Sequence, residues 1–151
     1  MTRREAHEYI ENYFAKYPGV RRYMDEIRMQ AKDVGWVSTL AGRRRWLPEI
    51  RSTNHNVRAF GERVALNTPI QGTAADIIKL AMVAVYRRLK AEGLHARLIL
   101  QVHDELIVEA AREEAEAAKR ILEEEMTRAM PLDVPLVAEA SVGEDWYAAK
   151  G

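Results

Sequence analysis

The chain has 151 residues, enough for one domain with a real core. Lys plus Arg and Asp plus Glu total 23 each, so the net charge is zero and neither favours nor excludes a nucleic-acid partner, because a basic face can sit within a neutral total. There is no Cys, which excludes disulfides and thiolate metal sites; no stretch approaches a membrane span and the N-terminus is polar, so a cytoplasmic protein with no membrane partner is expected.

Thr2-Arg3-Arg4-Glu5 has the pattern of a capping box. The helix after it places Ala6, Ile10, Tyr13 and Phe14 on one face and stops at Tyr17-Pro18-Gly19. A second helix is expected from about Val20, with Tyr23, Met24, Ile27, Ala31 and Val34 at three-four spacing and Gly35 just past its end. Residues 36–40 and 43–47 predict a short hairpin around Ala41-Gly42, stopped by Pro48. Residues 49–54 look like a polar loop, and residues 56–66 a third helix. Gly61 should weaken that helix by roughly 1 kcal/mol relative to Ala.

Residues 67–72 then break the helical pattern, since Pro69 lacks an amide hydrogen and disfavours helix at Thr68. Residues 73–91 predict a long helix, apolar nearly all round and therefore expected in a core, with Gly93 ending it. Two apolar runs, Leu98-Ile99-Leu100 and Leu106-Ile107-Val108, predict paired strands around a tight turn. A helix over 113–130, a last strand over 135–140 and a polar tail complete the chain. The acidic run Glu123-Glu124-Glu125 is expected to be a solvated face. Helices alternating with antiparallel hairpins define an α+β class.

Gln101-Val102-His103-Asp104-Glu105 carries the strongest chemical signal. Adjacent strand residues point to opposite faces, so only a turn lets neighbouring acids approach one ion. Asp104 and Glu105 there suit Mg²⁺, which takes oxygen ligands together with substrate phosphates and water. That is the chemistry of two-metal phosphoryl transfer. The plain alternative is a solvated turn between two strands.

A second constellation lies upstream. Arg63 and Asn67 are four apart and share a helical face; Gln71 continues the line if the break is only a kink, and Gly72 allows close approach of a backbone or ligand. A polar ridge of Arg, Asn and Gln suits the minor groove of a duplex, where every base pair offers acceptors at similar positions. His103 would add a further donor. The alternative is ordinary capping by Asn67 or Thr68. Arg43, Arg44 and Arg45 form a basic cluster suited to phosphate, although alternation on a hairpin keeps them from all facing one partner.

Three strings together resemble the C-terminal part of family A DNA polymerases, the bacterial DNA polymerase I group. They are Thr39-Leu40-Ala41-Gly42-Arg43-Arg44-Arg45, Asn67-Thr68-Pro69-Ile70-Gln71-Gly72-Thr73-Ala74-Ala75-Asp76, and Gln101-Val102-His103-Asp104-Glu105-Leu106. The similarity runs from about Arg4 to Lys150. It implies that Asp104 is the second of two metal-ligand aspartates and Glu105 an auxiliary carboxylate. It implies further that His103 lies near the primer end, and that Arg63, Asn67 and Gln71 lie along the primer–template minor groove. Residues 1–35 would be an outer part of the fingers and 36–151 part of the palm, joined by the hairpin around Arg43. The implied cofactor is Mg²⁺, two ions in the complete enzyme, and the implied partners are primer–template DNA and dNTP.

The family's other metal-binding aspartate and its dNTP-binding helix have no counterpart string here. The chain is therefore expected to be a polymerase part that is inactive alone, with exposed apolar faces favouring self-association. Competing expectations are a non-catalytic duplex-binding module, one half of a split polymerase, and a hydrolytic metalloenzyme using His103, Asp104 and Glu105.

Overall fold

A computed structural model describes residues 2–150. The elements are α1 (Arg3–Lys16), α2 (Pro18–Val34), β1 (Trp36–Ser38), β2 (Arg44–Trp46), a 3₁₀ turn (Pro48–Arg51), α3 (His55–Ala91), β3 (Arg97–Val102), β4 (Glu105–Glu109), a second 3₁₀ turn (Arg112–Glu114), α4 (Ala115–Thr127) and α5 (Trp146–Ala149). Two separate two-stranded antiparallel sheets accompany the helices, in keeping with the α+β class. Among the described residues no helix is long and apolar enough to cross a membrane. The chain divides into a unit ending at Thr73 and a unit starting at Ala74.

In the first unit, both halves of the capping box form. The Glu5 amide donates to Thr2 Oγ1 and the Thr2 amide to Glu5 Oε2. The expected apolar face of α1 is not buried, however. Ile10 and Tyr13 are about half exposed, and α1 buries no residue. Pro18 occupies the first turn of α2, where its missing amide hydrogen costs nothing. Gly35 ends α2 at φ +80°, and the Arg51 guanidinium donates to the carbonyls of Lys32 and Asp33 at that end. The core collects Ala31, Val37, Leu47, Ile50 and Ala65. Ile50 is buried within a 3₁₀ turn, so residues 49–54 are not simply a polar loop.

The largest correction concerns the predicted break at 67–72. α3 runs unbroken from His55 to Ala91 with Pro69 inside it. An interior proline costs a helix about 3 kcal/mol and one hydrogen bond. The hairpin loop counteracts this one turn downstream. The Thr73 hydroxyl accepts from the Leu40 amide at 3.0 Å and donates to the Pro69 carbonyl. Arg43 Nη2 donates to the Gly72 carbonyl at 3.0 Å. Thr39, Thr68 and Thr73 are buried.

Gly61 also has a packing reason. A Cβ there would lie 2.9 Å from the Ile50 amide nitrogen and 3.1 Å from the Glu49 carbonyl carbon. The helix and the 3₁₀ turn touch backbone to backbone.

In the second unit, α3 buries one face only, Ile78, Ala81, Val85 and Leu89, at three-four spacing. Leu80, Val83 and Tyr86 are about half exposed, so the expectation of all-round burial fails for this chain. The core joins Val85 and Leu89 to Ala96, Ala118 and Ile121, with Leu106 and Val108 against it. β3 and β4 pair Leu98↔Val108 and Leu100↔Ile107, so Ile99 is an extra residue, as in a bulge.

The expected helix 113–130 is shorter, because Glu114 is used before α4 begins. Its carboxylate accepts from the His95 and Ala96 amides at 3.0 Å. These bonds hold its carboxyl below the usual range. The acidic run is not a free solvated face either. Arg88 Nη1 lies 2.7 Å from both Glu124 and Glu125, and Arg88 Nε lies 2.8 Å from Glu92. Glu123 accepts from the Ala140 amide at 3.0 Å. Residues 135–140 form no strand; that amide bonds to a side chain instead of a neighbouring strand.

Two predictions follow from this packing. Helix propensity alone would make Gly61→Ala stabilising by about 1 kcal/mol, but the backbone contact reverses the sign. Urea unfolding should show a loss of about 1–3 kcal/mol; a gain would mean that the 3₁₀ turn yields freely.

Arg88 holds the Glu124 carboxyl below its ordinary value of 4.5. A depressed carboxyl contributes its full stabilisation above its unfolded-state value and loses it as pH falls through the folded value. The stability gap between wild type and Arg88→Met should therefore be largest at neutral pH and shrink toward about pH 2. A gap equal at both pH values would assign Arg88 a packing role only.

Candidate functional site

The catalytic candidates sit on the shortest kind of hairpin connection. Val102 pairs with Glu105, leaving His103 and Asp104 as a two-residue turn. Such turns need left-handed backbone. His103 supplies it at φ +52°, alone among the described non-glycine residues. The strain is held by Gln101, whose Nε2 donates to the His103 carbonyl at 2.6 Å. His103 and Asp104 are exposed, and Glu105 opens β4.

Glu105 has a partner that sequence reasoning missed. Lys150 Nζ lies 3.3 Å from its Oε1. Asp104, Glu105 and Lys150 all line a cleft of about 660 Å³ beside α4 and the C-terminal segment. No spacing rule links residues so far apart in sequence. Gln101 was visible in the motif, but its turn-bracing role was not.

Two adjacent carboxylates at a turn fit the donor chemistry of Mg²⁺, which is bound by one or two carboxylates together with phosphate and water. Among the described residues no cluster of three or more His, Asp or Glu is arranged to hold a metal ion. The donor set therefore fits one side of a metal site.

The polar ridge lies in the first unit. Arg63, Asn67 and Gln71 are all exposed on the unbroken α3. Because the helix continues through Pro69, the three form a real line of roughly 12 Å, drifting about 40° per step. A broken helix would have scattered them. Gly72 does allow a close approach, and the occupant is Thr39. A Cβ at Gly72 would lie 2.6 Å from Thr39 Cγ2.

The arginine cluster divides by role. Arg43 reaches back to the Gly72 carbonyl. The Arg44 guanidinium stacks 4.3 Å from the Trp36 ring centroid. Arg45, opposite Val37, is exposed. Of the remaining histidines, His95 Nδ1 lies 3.3 Å from Glu114, away from the turn in sequence and in role.

The polar ridge belongs to the first unit and the acidic turn to the second, and comparison with known proteins supplies the family. The sequence profile of DNA polymerase family A matches residues 1–148. This chain belongs to that family. It is 57% identical over 150 residues to DNA polymerase I of Geobacillus stearothermophilus and 50% identical to that of Bacillus subtilis strain 168. In each case 99% of this chain aligns with 17% of the relative, so the chain spans about a sixth of their length. The POL domain of Pol1 from M. smegmatis, solved in complex with DNA primer-template and dNTP, superposes with a TM-score of 0.96 at 46% identity. That match covers all of this chain and 27% of the solved one.

The turn geometry is directly testable. His103→Gly should be tolerated, because glycine adopts positive φ without strain. His103→Val should cost about 1–2 kcal/mol, since a β-branched side chain resists the left-handed region. Thermal unfolding of the two variants should separate them; equal melting temperatures would mean that the turn relaxes to another conformation.

Proposed function

We propose that this chain is the part of a cytoplasmic DNA-directed DNA polymerase that carries one side of the catalytic metal site and a minor-groove ridge. The observation that carries the reading is the two-residue turn presenting Asp104 beside Glu105, within a chain of this family. Asp104 is the metal-ligand carboxylate and Glu105 its auxiliary. Bound Mg²⁺ ions would lower the pKa of the primer 3′-hydroxyl and stabilise the charge that develops on the departing pyrophosphate.

The chain's own residues position the substrates. Arg63, Asn67 and Gln71 offer donors to the acceptors that every base pair presents in the minor groove, so they sense pair geometry without reading sequence. The ridge spans roughly 12 Å, which is between three and four base-pair steps at about 3.4 Å each. His103 stands beside the carboxylates as a donor near the primer end, and Arg45 is available to phosphate. Residues 1–35 act as outer fingers and 36–151 as palm.

Asp104 in the turn and Glu105 at the start of β4 do not make a two-ion clamp, and further ligands must come from another strand. The 151 residues alone are therefore inactive in primer extension. The test is a chimera in which this chain replaces the matching C-terminal portion of the Geobacillus stearothermophilus relative. The chimera should extend a primer with four dNTPs and Mg²⁺, the chain alone should not, and Asp104→Ala in the chimera should reduce the rate on the order of 10³-fold. Extension by the chain alone, abolished by Asp104→Ala, would show that these residues complete the site. A chimera indifferent to Asp104→Ala would remove Asp104 from the chemistry.

A further inference from the structure

Glu105 is partly exposed but paired within the chain. Its carboxylate carries a cation supplied by the far end of the chain, Lys150 Nζ at 3.3 Å from Oε1. Three features of the C-terminal segment hold Lys150 there. Gly143 packs against the backbone of α5, where a Cβ would lie 2.5 Å from the Ala149 amide nitrogen and 2.8 Å from the Ala148 carbonyl carbon. Asp145 caps α5, accepting from the Ala148 amide at 2.8 Å. The Lys150 ammonium also lies 5.4 Å from the Trp146 ring centroid, within cation–π range. The segment is thus folded to end on the acidic turn, and Lys150, Glu105 and Asp104 line one cleft.

We propose that Lys150 is a built-in counter-cation of the Asp104–Glu105 turn, a positioning residue that competes with the divalent ion for Glu105. The proposal rests on the metal-binding reading of that turn given above. A single positive charge neutralises part of the acidic pair while no metal is present. It must yield when a doubly charged ion arrives, because the same carboxylate oxygen cannot serve both at full strength and the two cations repel. Both side chains are substantially exposed, 61% for Lys150 and 42% for Glu105, so the effect is modest and screened by salt. Lys150 thereby weakens the grip of the turn on its ion, favouring release.

The test is Mn²⁺ titration of the 151-residue chain, followed by paramagnetic broadening of the Asp104 and Glu105 amide signals in ¹H–¹⁵N spectra. Lys150→Met should reach half-broadening at about two- to fivefold lower Mn²⁺ than wild type, the effect of removing one exposed ion pair. Lys150→Arg should behave as wild type. In a Glu105→Gln background Lys150→Met should have a clearly smaller effect, only the direct repulsion between the two cations remaining, which ties the larger part to that pair and not to loosened packing. The wild-type difference should fade near about 1 M KCl, where charges are screened within roughly 3 Å. Equal Mn²⁺ dependence in wild type and Lys150→Met would overturn the role of Lys150 and leave the metal reading standing. Absence of broadening at Asp104 and Glu105 in every variant would overturn the competition, since no ion would then reach Glu105 for Lys150 to oppose, while the metal reading is decided by the chimera.

Discussion

The seat of the hairpin loop on α3 governs the first unit. Thr39 occupies the space that a side chain at Gly72 would need, and the Leu40 amide and Arg43 guanidinium bond to Thr73 and Gly72. This contact braces a helix that contains Pro69. A proline at a helix interior is a cost of about 3 kcal/mol, and buried threonines and loop hydrogen bonds offset it. Arg63, Asn67 and Gln71 stay in line because α3 does not break, and Arg43 on the hairpin bonds to the Gly72 carbonyl of that same helix.

The second unit concentrates its strain and its charge at the acidic turn. A histidine at positive φ is uncommon, and such residues persist where the surroundings over-determine them. Here the pairing of Val102 with Glu105 sets the ends of the turn and Gln101 braces its carbonyl. The result places Asp104 at the tip and Glu105 immediately beside it, without room for an intervening residue. The Ile99 irregularity in β3 sits a few residues before the turn, and bulges recur next to active sites because they re-aim a strand.

Electrostatics holds the scaffold behind that turn. Arg88 gathers Glu92, Glu124 and Glu125, and Glu114 gathers the amides that open β3. These contacts join α3, α4 and the start of the hairpin around a small apolar core of Val85, Leu89, Ala96, Ala118 and Ile121. The core is small, and much of the apolar surface of α3 remains exposed.

Local chemistry was legible in the sequence wherever a neighbour in the chain decides it. The capping box at Thr2, the C-terminal Gly35, the hairpin around Gly42, a tight turn before Leu106 and the α+β class are all of this kind, although the turn is His103–Asp104 and Glu105 already belongs to β4. So was the family, because three motifs stand in a fixed order along the chain. What sequence could not decide depends on partners distant along the chain. Pro69 argues locally against a helix, and only the hairpin loop reverses that. Gly61 appears as a weakness until the 3₁₀ turn is found against it. Glu123, Glu124 and Glu125 look like solvated charge until Arg88 and the Ala140 amide are found against them. Residues 135–140 have strand-forming composition but are not paired with another strand. Lys150 carries no motif, and only folding of the C-terminal segment brings its charge to Glu105. Propensity and pattern are properties of neighbours in sequence, whereas close backbone contact, ion pairing and strand pairing are properties of neighbours in space.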